Sequence, residues 1–276
     1  MSLRILHVSD LHTGAGKAGA EAGPGPALQT LVDELKPTLV IASGDLTHRN
    51  KPWQHDGAAA LLKGLGVPVL AVPGNHDIPL LSPNRVLAPW KEFERHWLTT
   101  EPTHSTPSLY VVGINSVRPW RHQSGGVSKE ALARAVGRLK SAPTEAFRIA
   151  VLHHQLVGAP WRSRKKPVAH RNHVLAALAE AGAELIVGGH VHQGTVSDRH
   201  EFEVVDEAFH GAVVTTVPGL GRPRPRRHGE ACGAFLYTPG TADLTVETYL
   251  WREQEWGVTA RRTFARGAGT LGSRSA

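Results

Sequence analysis

Short apolar runs alternate with amphipathic segments along the N-terminal part of the chain. Six runs rich in β-branched residues predict strands: LRILHV, TLVIAS, VPVLAV, SLYVVGI, FRIAVL and ELIVGG. Four segments between them repeat apolar residues every three or four positions, which predicts helices: PALQTLVDELK, WQHDGAAALLKGL, SKEALARAVGRLKSA and RNHVLAALAEAG. Strands that alternate with helices are typical of an α/β fold, in which helices cover a sheet.

The pattern changes after Val196, where strand-like runs follow one another without helices. These runs are FEVVDEAF, AVVTTVPG, ACGAFLYTP and LTVETYLWRE, with the turn sequence TPGTAD between the last two. We expect antiparallel strands in a second sheet that packs on the first. No long linker divides the chain, so we predict one domain over residues 1–265. The C-terminal stretch RGAGTLGSRSA, residues 266–276, has little to bury and is predicted to be disordered.

Composition narrows the class of protein. The chain has 276 residues, of which 41% are hydrophobic, but no apolar run approaches the roughly 18 residues that span a bilayer. No signal peptide is recognisable, so we expect a cytoplasmic protein without a membrane partner. Cys232 is the single cysteine, which excludes an internal disulfide.

Basic residues are clustered, and the formal net charge is +7. The clusters are WRSRKKPVAHR, RPRPRRH and ARRTFAR. Positive clusters suit nucleic acid as a partner, but runs of charge are more often solvated faces. We therefore do not favour nucleic acid over a small substrate.

Potential metal ligands follow five of the six predicted strands. They are Asp10 and His12; Asp45; Asn75, His76 and Asp77; His153 and His154; and His190 and His192. Because the carboxyl ends of strands in an open α/β sheet converge on one crevice, we expect these side chains to lie close together. Only eight aspartates occur in the chain, and three of them stand at these strand ends, so coincidence is a poor explanation.

The donor types point to metal-assisted hydrolysis. Carboxylate, imidazole and amide oxygen without thiolate favour manganese, iron, zinc or cobalt. The ligands suffice for two divalent ions. Two ions roughly 4 Å apart can share a carboxylate and a hydroxide, lower the pKa of that water and neutralise charge on a phosphoryl oxygen. Phosphate ester hydrolysis needs all three effects.

The motifs DLH, GD, GNHD, a histidine after a strand, and GHVH occur in that order. This series resembles the signature of the metallophosphoesterase, or calcineurin-like phosphoesterase, superfamily, over roughly Leu3 to His192. The resemblance implies an α/β fold: a four-layer αββα sandwich of two mixed β-sheets flanked by helices.

The resemblance also implies roles for the strand-end residues. Asp45 would bridge two metal ions, and His76 would face the substrate to stabilise the transition state or protonate the leaving oxygen. Asp77 would orient the ring of His76. The remaining ligands would divide between the ions as Asp10, His12 and His192 on one, and Asn75, His153 and His190 on the other.

One ligand is ambiguous, because LHHQ offers two neighbouring histidines. Side chains of adjacent residues point to opposite sides of an extended chain. We prefer His153, the first of the pair, and expect His154 to support the ligands or to pack beside them.

The substrate is predicted from the motif context. LTHRN follows Asp45, unlike the DRG continuation of the protein phosphatases. The segments GDLT, VPGNHDIPL and GHVH look most like the bacterial cyclic-nucleotide and glycerophosphodiester phosphodiesterases. We therefore expect a small phosphodiester substrate, hydrolysed by a metal-bridging hydroxide. The alternatives are a nuclease, a phosphomonoesterase and, further off, a metal-bound scaffold without catalysis. Candidate substrate contacts are Arg49, Arg118, Arg121 and His122.

Overall fold

A computed structural model describes residues 3–15, 24–158, 165–198, 212–221 and 231–266. Within these ranges the strands are β1 Ile5–Val8, β2 Leu39–Ala42, β3 Val69–Ala71, β4 Thr103–Ser105, β5 Leu109–Gly113, β6 Phe147–Val151, β7 Leu185–Gly188, β8 Thr195–Asp198, β9 Val213–Thr216, β10 Cys232–Pro239, β11 Asp243–Arg252 and β12 Glu255–Ala265. The helices of the same ranges are α1 Leu28–Leu35, α2 Pro52–Lys63, α3 Asn84–Leu87, α4 Lys91–Trp97, α5 Lys129–Lys140 and α6 Arg171–Glu180.

The strands form two mixed sheets. The first sheet has the order β12-β11-β10-β1-β2-β3, in which β1, β2 and β3 are parallel and β10 to β12 are antiparallel. The second has the order β4-β5-β6-β7-β9-β8, with parallel strands in the middle and an antiparallel strand at each edge. Each sheet therefore carries a parallel core, whose strands end at the same edge.

Three apolar clusters hold four layers together. The central cluster lies between the sheets and includes Ile41 and Phe235 from the first and Val151 from the second. A second cluster joins the outer face of the first sheet to α1, α2 and α4, and a third joins the second sheet to α5 and α6. Two sheets between helices confirm the predicted αββα sandwich.

All six N-terminal strands and all four helices predicted from periodicity are present, as β1, β2, β3, β5, β6 and β7 and as α1, α2, α5 and α6. The prediction for the C-terminal part was partly wrong. Its strands do not form a sheet of their own, because β10 pairs with β1 and extends the first sheet, whereas β9 runs parallel to β7 in the second. Alternating hydrophobicity shows that a segment is a strand, but it does not show which edge the strand joins.

Some elements had no clear signal in the sequence. Helices α3 and α4 are short. Strand β12 is exposed at most positions, so its sequence resembles a basic cluster more than a strand. The run FEVVDEAF, the RPRPRRH cluster and residues 267–276 lie outside the described residues. Arg266 is described and forms an ion pair with Glu184. Cys232 is buried. None of the described helices is long and apolar enough to cross a membrane.

Candidate metal centre

The predicted ligands meet where the parallel strands of both sheets end. Two hydrogen bonds join the sheets at this edge. The His190 amide donates to Asp10 Oδ2 at 2.9 Å, and His153 Nδ1 donates to the Ser43 carbonyl at 2.8 Å. Side chains that are up to 180 residues apart in the chain therefore form one cluster.

Sharp turns of the backbone point these side chains inward. The five residues Asp10, His12, Asp45, His190 and His192 all have positive φ, between 47° and 73°. This left-handed conformation costs a residue with a Cβ roughly 1–2 kcal/mol. Strain of this kind concentrates at functional sites, where the surrounding structure maintains it.

Glycines beside the ligands allow the loops to approach one another closely. A Cβ on Gly74 would lie 2.1 Å from the Asp45 amide nitrogen and 2.2 Å from Asp45 Oδ1. A Cβ on Gly44, where φ is +94°, would lie 2.7 Å from His153 Nδ1. The glycines of the GD and GN motifs are therefore required by contact distance.

Two buried carboxylates form the middle of the cluster. Asp10 Oδ1 lies 3.1 Å from His192 Nε2 and 3.8 Å from His12 Nε2. Asp45 Oδ2 lies 3.8 Å from His12 Nε2 and 3.4 Å from His153 Nε2. Neither oxygen accepts a well-directed hydrogen bond from the described residues, and such buried oxygens are costly without a donor or a cation. Asp45 thus faces the histidines of both sheets.

His153 points its Nε2 atom at this centre. Its Nδ1 donates to a carbonyl, so in the neutral ring Nε2 is unprotonated and faces Asp45 Oδ2. Histidines that bind metals commonly donate their other ring nitrogen in this way. His154 instead bonds Ser116 Oγ through Nδ1 at 2.9 Å, and its ring centroid lies 4.5 Å from that of His190.

The electrostatics of the cluster favour positive charge. Burial raises the pKa of the Asp10 carboxyl, but His192, His153 and His12 outweigh burial and hold this pKa well below its usual range. The pKa of Asp45 is low for the same reason, against burial. For His153 burial lowers the pKa, but Asp45 and Asp10 outweigh burial and raise the pKa to about 9. The two carboxylates therefore stay ionised and favour positive charge beside them, whereas burial lowers the pKa of His12 to about 3 and keeps that ring neutral.

The donor set fits divalent metal ions. Ligand atoms within 4.8 Å of one another form overlapping groups: Asp10, His12 and His192; Asp10, Asp45 and His153; His153, His154 and His190. Asn75 Oδ1 and His190 Nε2 are further buried atoms without a hydrogen-bond partner among the described residues. Imidazole, carboxylate and amide donors without a thiolate suit borderline divalent ions.

The structure changes the predicted role of Asp77. His76 Nδ1 donates to the carbonyl of His48 at 2.8 Å, so a backbone atom orients this ring. Asp77 accepts hydrogen bonds from the amides of Gly74, Leu46 and Thr47 and from the Thr47 hydroxyl. The predicted contact between the Asp77 carboxylate and the His76 ring is wrong, because that carboxylate ties together the loops after β2 and β3.

His48 is a site residue that the sequence analysis missed. Its ring stacks on that of His76 with centroids 5.8 Å apart, and the two rings form a fourth group of potential ligands with His12. Its Nδ1 is buried without a hydrogen-bond partner in the described residues. The only available signal was its place three residues after Asp45, next to Arg49.

The candidate substrate residues lie on loops beside the cluster. Arg49 is exposed, and its Nε donates to His48 Nε2 at 3.4 Å. Arg118 is half-buried, whereas the side chains of Arg121 and His122 are exposed. Among the described residues, none of these last three contacts the His/Asp cluster.

Two mixed sheets between helices, with buried histidines and aspartates at the strand ends, define a metallophosphoesterase architecture. The chain belongs to the calcineurin-like phosphoesterase family, whose sequence profile matches residues 3–194.

Known proteins support this placement. A probable cyclic nucleotide phosphodiesterase from Synechococcus sp. is 25% identical over 217 residues, which cover 72% of this chain and 77% of the relative.

Two solved structures share the fold at 15% identity. A purple acid phosphatase from yellow lupin seeds, Lupinus luteus, has a TM-score of 0.70; the match covers 97% of this chain and 54% of that one. A dimetal phosphatase from Danio rerio has a TM-score of 0.64, with 96% and 99% covered. The chain thus spans about half the length of the lupin enzyme and nearly all of the fish enzyme.

Proposed function

We propose that this chain is a binuclear metal-dependent phosphodiesterase that hydrolyses small phosphodiesters. The proposal depends mainly on the position of Asp45 Oδ2. This atom has no hydrogen-bond partner among the described residues, and it lies 3.8 Å from His12 Nε2 and 3.4 Å from His153 Nε2. A single carboxylate that faces two histidine groups suits a bridging ligand. We assign the activity to residues 1–265.

The ligands divide into two sets around Asp45. One ion would be held by Asp10, His12 and His192, and the other by Asn75, His153 and His190. Manganese, iron, zinc and cobalt all suit these donors. When bound, two such ions supply Lewis-acid chemistry: they polarise a phosphoryl oxygen and lower the pKa of a water molecule.

His76 is the residue proposed to act on the substrate. Its ring packs edge-on against that of His12 at 4.8 Å, and its Nδ1 is held by the His48 carbonyl. With Nδ1 fixed as a donor, the imidazolium form of the ring presents a second proton on Nε2, which can donate a hydrogen bond to a phosphate oxygen or be transferred to the leaving oxygen. Asp77 supports this work indirectly by fixing the loop that carries His76.

The substrate class rests on sequence similarity. The Synechococcus relative is named a probable cyclic nucleotide phosphodiesterase, and LTHRN after Asp45 is unlike the protein phosphatase motif. We therefore favour cyclic nucleotides or glycerophosphodiesters over nucleic acid and phosphomonoesters.

Metal content and turnover of a chromogenic diester test the proposal. We expect two transition-metal ions per chain and hydrolysis of bis-(p-nitrophenyl) phosphate. Asp45→Asn should lose one ion and at least about a hundredfold in kcat/KM, because one bridging charge disappears. Asp33→Asn, on the exposed face of α1, is the matched control and should retain both properties.

A substrate panel then separates the activities that this fold supports. Cyclic AMP, glycerophosphocholine, p-nitrophenyl phosphate and single-stranded DNA are compared at fixed metal and salt. Faster cleavage of DNA or of the monoester than of both small diesters would overturn the phosphodiesterase assignment. A metal-loaded protein that hydrolyses none of them would be a binding scaffold.

A further inference from the structure

A cavity of about 400 Å³ lies between the segment after β5 and helix α5. Its walls come from the segment after β5, from the start of α5 and from the segments that flank α4. Three arginines and one glutamate line it, so its lining carries a net charge of about +2 (three positive, one negative). Trp90 and Trp120 supply aromatic surface, and the Trp120 side chain is 72% exposed.

The cavity and the metal centre share a wall. Asn115 and Val117 line the cavity, and Ser116 between them bonds His154 Nδ1 at 2.9 Å. The His154 ring lies beside His190. Strand β5, which leads into this segment, is the direct neighbour of β6, which leads into His153. Neighbouring strands are about 4.8 Å apart, so the segment that lines the cavity and the segment that carries His153 begin side by side.

Of the three arginines of the cavity, Arg118 is the one whose guanidinium forms no hydrogen bond or ion pair with the described residues. Arg134 forms a bidentate ion pair with Glu101, and Arg138 donates to the Glu101 carbonyl. The Arg118 guanidinium makes no hydrogen bond or ion pair with the described residues and lies 5.9 Å from the Trp120 ring centroid. A guanidinium placed over an aromatic ring keeps its planar donors free for a carboxylate or phosphate.

Arg85 fixes the wall that carries Arg118. It is only 7% exposed, and its guanidinium donates to three carbonyls: Pro119 at 2.5 Å, Arg121 at 2.7 Å and Pro79 at 2.5 Å. Pro79 lies two residues after Asp77, in the loop that begins at the metal centre. One buried side chain therefore sets the distance between the cavity wall and the loop of His76.

We propose that this cavity is a second substrate subsite, in which Arg118 binds an anionic group beyond the scissile phosphodiester. The inference rests on the proposed phosphodiesterase activity and narrows its substrates to diesters that carry a second phosphate or a carboxylate. The planar fork of Arg118 matches both groups, and Trp120 provides a surface for the part of the substrate between the two anions.

Two substrate pairs isolate the second anion. The dinucleotides pApA and ApA differ only by a terminal phosphate, and glycerophosphoserine and glycerophosphoethanolamine differ only by a carboxylate. We expect kcat/KM to be at least about tenfold higher for the anionic member of one pair, mainly through KM. The pair that shows the difference identifies the anion. Both members of a pair are measured with the same protein, so a general change in activity does not alter the ratio of their kcat/KM values.

Variants of Arg118 then test the residue. Arg118→Gln should bring the ratio to about one, and Arg118→Lys should keep part of it, because lysine retains the charge without the fork. Lys129→Gln removes the same charge from the exposed start of α5, outside the cavity, and should leave the ratio unchanged. Urea unfolding confirms that each variant is folded.

The outcomes separate this inference from the proposed function. A wild-type protein that cleaves bis-(p-nitrophenyl) phosphate but treats both members of each pair alike overturns the subsite alone. The same holds if Arg118→Gln keeps the ratio. If no diester is hydrolysed, the phosphodiesterase proposal fails. The affinities of pApA and ApA, measured by calorimetry, then test whether the subsite exists. Tighter binding of pApA that is lost in Arg118→Gln would support it.

Discussion

Asp77 is the hydrogen-bonding centre of two loops, and its removal makes a sharp test of the structure. Its Oδ2 accepts from the amides of Gly74 at 2.8 Å and Leu46 at 3.1 Å. Its Oδ1 accepts from the Thr47 amide at 2.8 Å and the Thr47 hydroxyl at 3.0 Å. The loops joined in this way carry Asp45 and Asn75, so we expect Asp77→Ala to affect both stability and metal binding.

Two opposing terms determine the size of the effect. Three backbone amides lose their acceptor in a buried region, at about 1–3 kcal/mol each, or about 6 kcal/mol together. Burial first, and then Asp45, raise the pKa of Asp77 to about 6, so keeping it ionised at pH 7 costs the folded protein about 3 kcal/mol, which alanine recovers. The net loss of unfolding free energy should be about 3 kcal/mol.

Urea unfolding of the metal-free protein at pH 7 measures the first effect, and calorimetric titration with Mn²⁺ measures the second. We expect metal affinity to fall at least about tenfold, because the loops of Asp45 and Asn75 are no longer tied together. Asp33→Ala, which removes an exposed carboxylate, should change neither quantity. Equal unfolding free energies and equal affinities in wild type and Asp77→Ala would refute the reasoning.

A double-mutant cycle separates this role from that of an orienting partner for His76. No hydrogen bond joins the Asp77 carboxylate to the His76 ring among the described residues, so the coupling energy between Asp77→Ala and His76→Ala should stay below the worth of a direct hydrogen bond, about 1 kcal/mol. A larger coupling energy would show that the two side chains act together.

Three further predictions follow from buried groups and from the metal centre. Gly74→Ala should abolish metal binding, because its Cβ would lie 2.1 Å from the Asp45 amide nitrogen. Gly137→Ala is the control and should keep metal binding, because no atom lies within 4 Å of the new Cβ. The metal content of the purified variants checks both expectations. Burial lowers the pKa of His7 to about 3, below its value of 6.5 in the unfolded chain, so stability should fall by about 1.4 kcal/mol per pH unit between about pH 6 and 4. His7→Gln should remove this part of the slope in urea unfolding, and exposed His173→Gln should not; equal slopes for His7→Gln and wild type would contradict the assignment. Chelation of bound ions should lower the free energy of unfolding by about 2.7 kcal/mol for each ion that was present at a hundredfold its Kd, and an unchanged transition would show that the ions bind the unfolded chain equally well.

Much of the fold was predictable because its information is local. Each N-terminal helix buries one face, and each N-terminal strand is a short apolar run that is almost wholly buried. Both kinds of element are therefore visible in their own sequence, without knowledge of the segments they pack against. The placement of β10 was not predictable in this way. Its alternating residues suit any sheet edge, and only tertiary structure pairs it with β1.

The convergence of the strand-end side chains was predictable for a related reason. Asp10, Asp45, Asn75 and His190 all follow parallel strands, and parallel strands bring their carboxyl ends together whatever the loops between them contain. Residue type and position relative to a strand are therefore enough to assemble the cluster. The structure places these residues at the edge where the parallel strands end, which is the place that the pattern of strands and helices predicted.

The sequence by itself determined the layers of this protein and the types of side chain at its strand ends. Only tertiary structure decided that the His48 carbonyl orients His76, that Asp77 binds amides, and that Arg85 joins two loops beside a cavity. These contacts involve backbone atoms. Because every residue has a backbone, such contacts cannot be recognised from composition or periodicity. Where such atoms lie depends on the path of the whole chain.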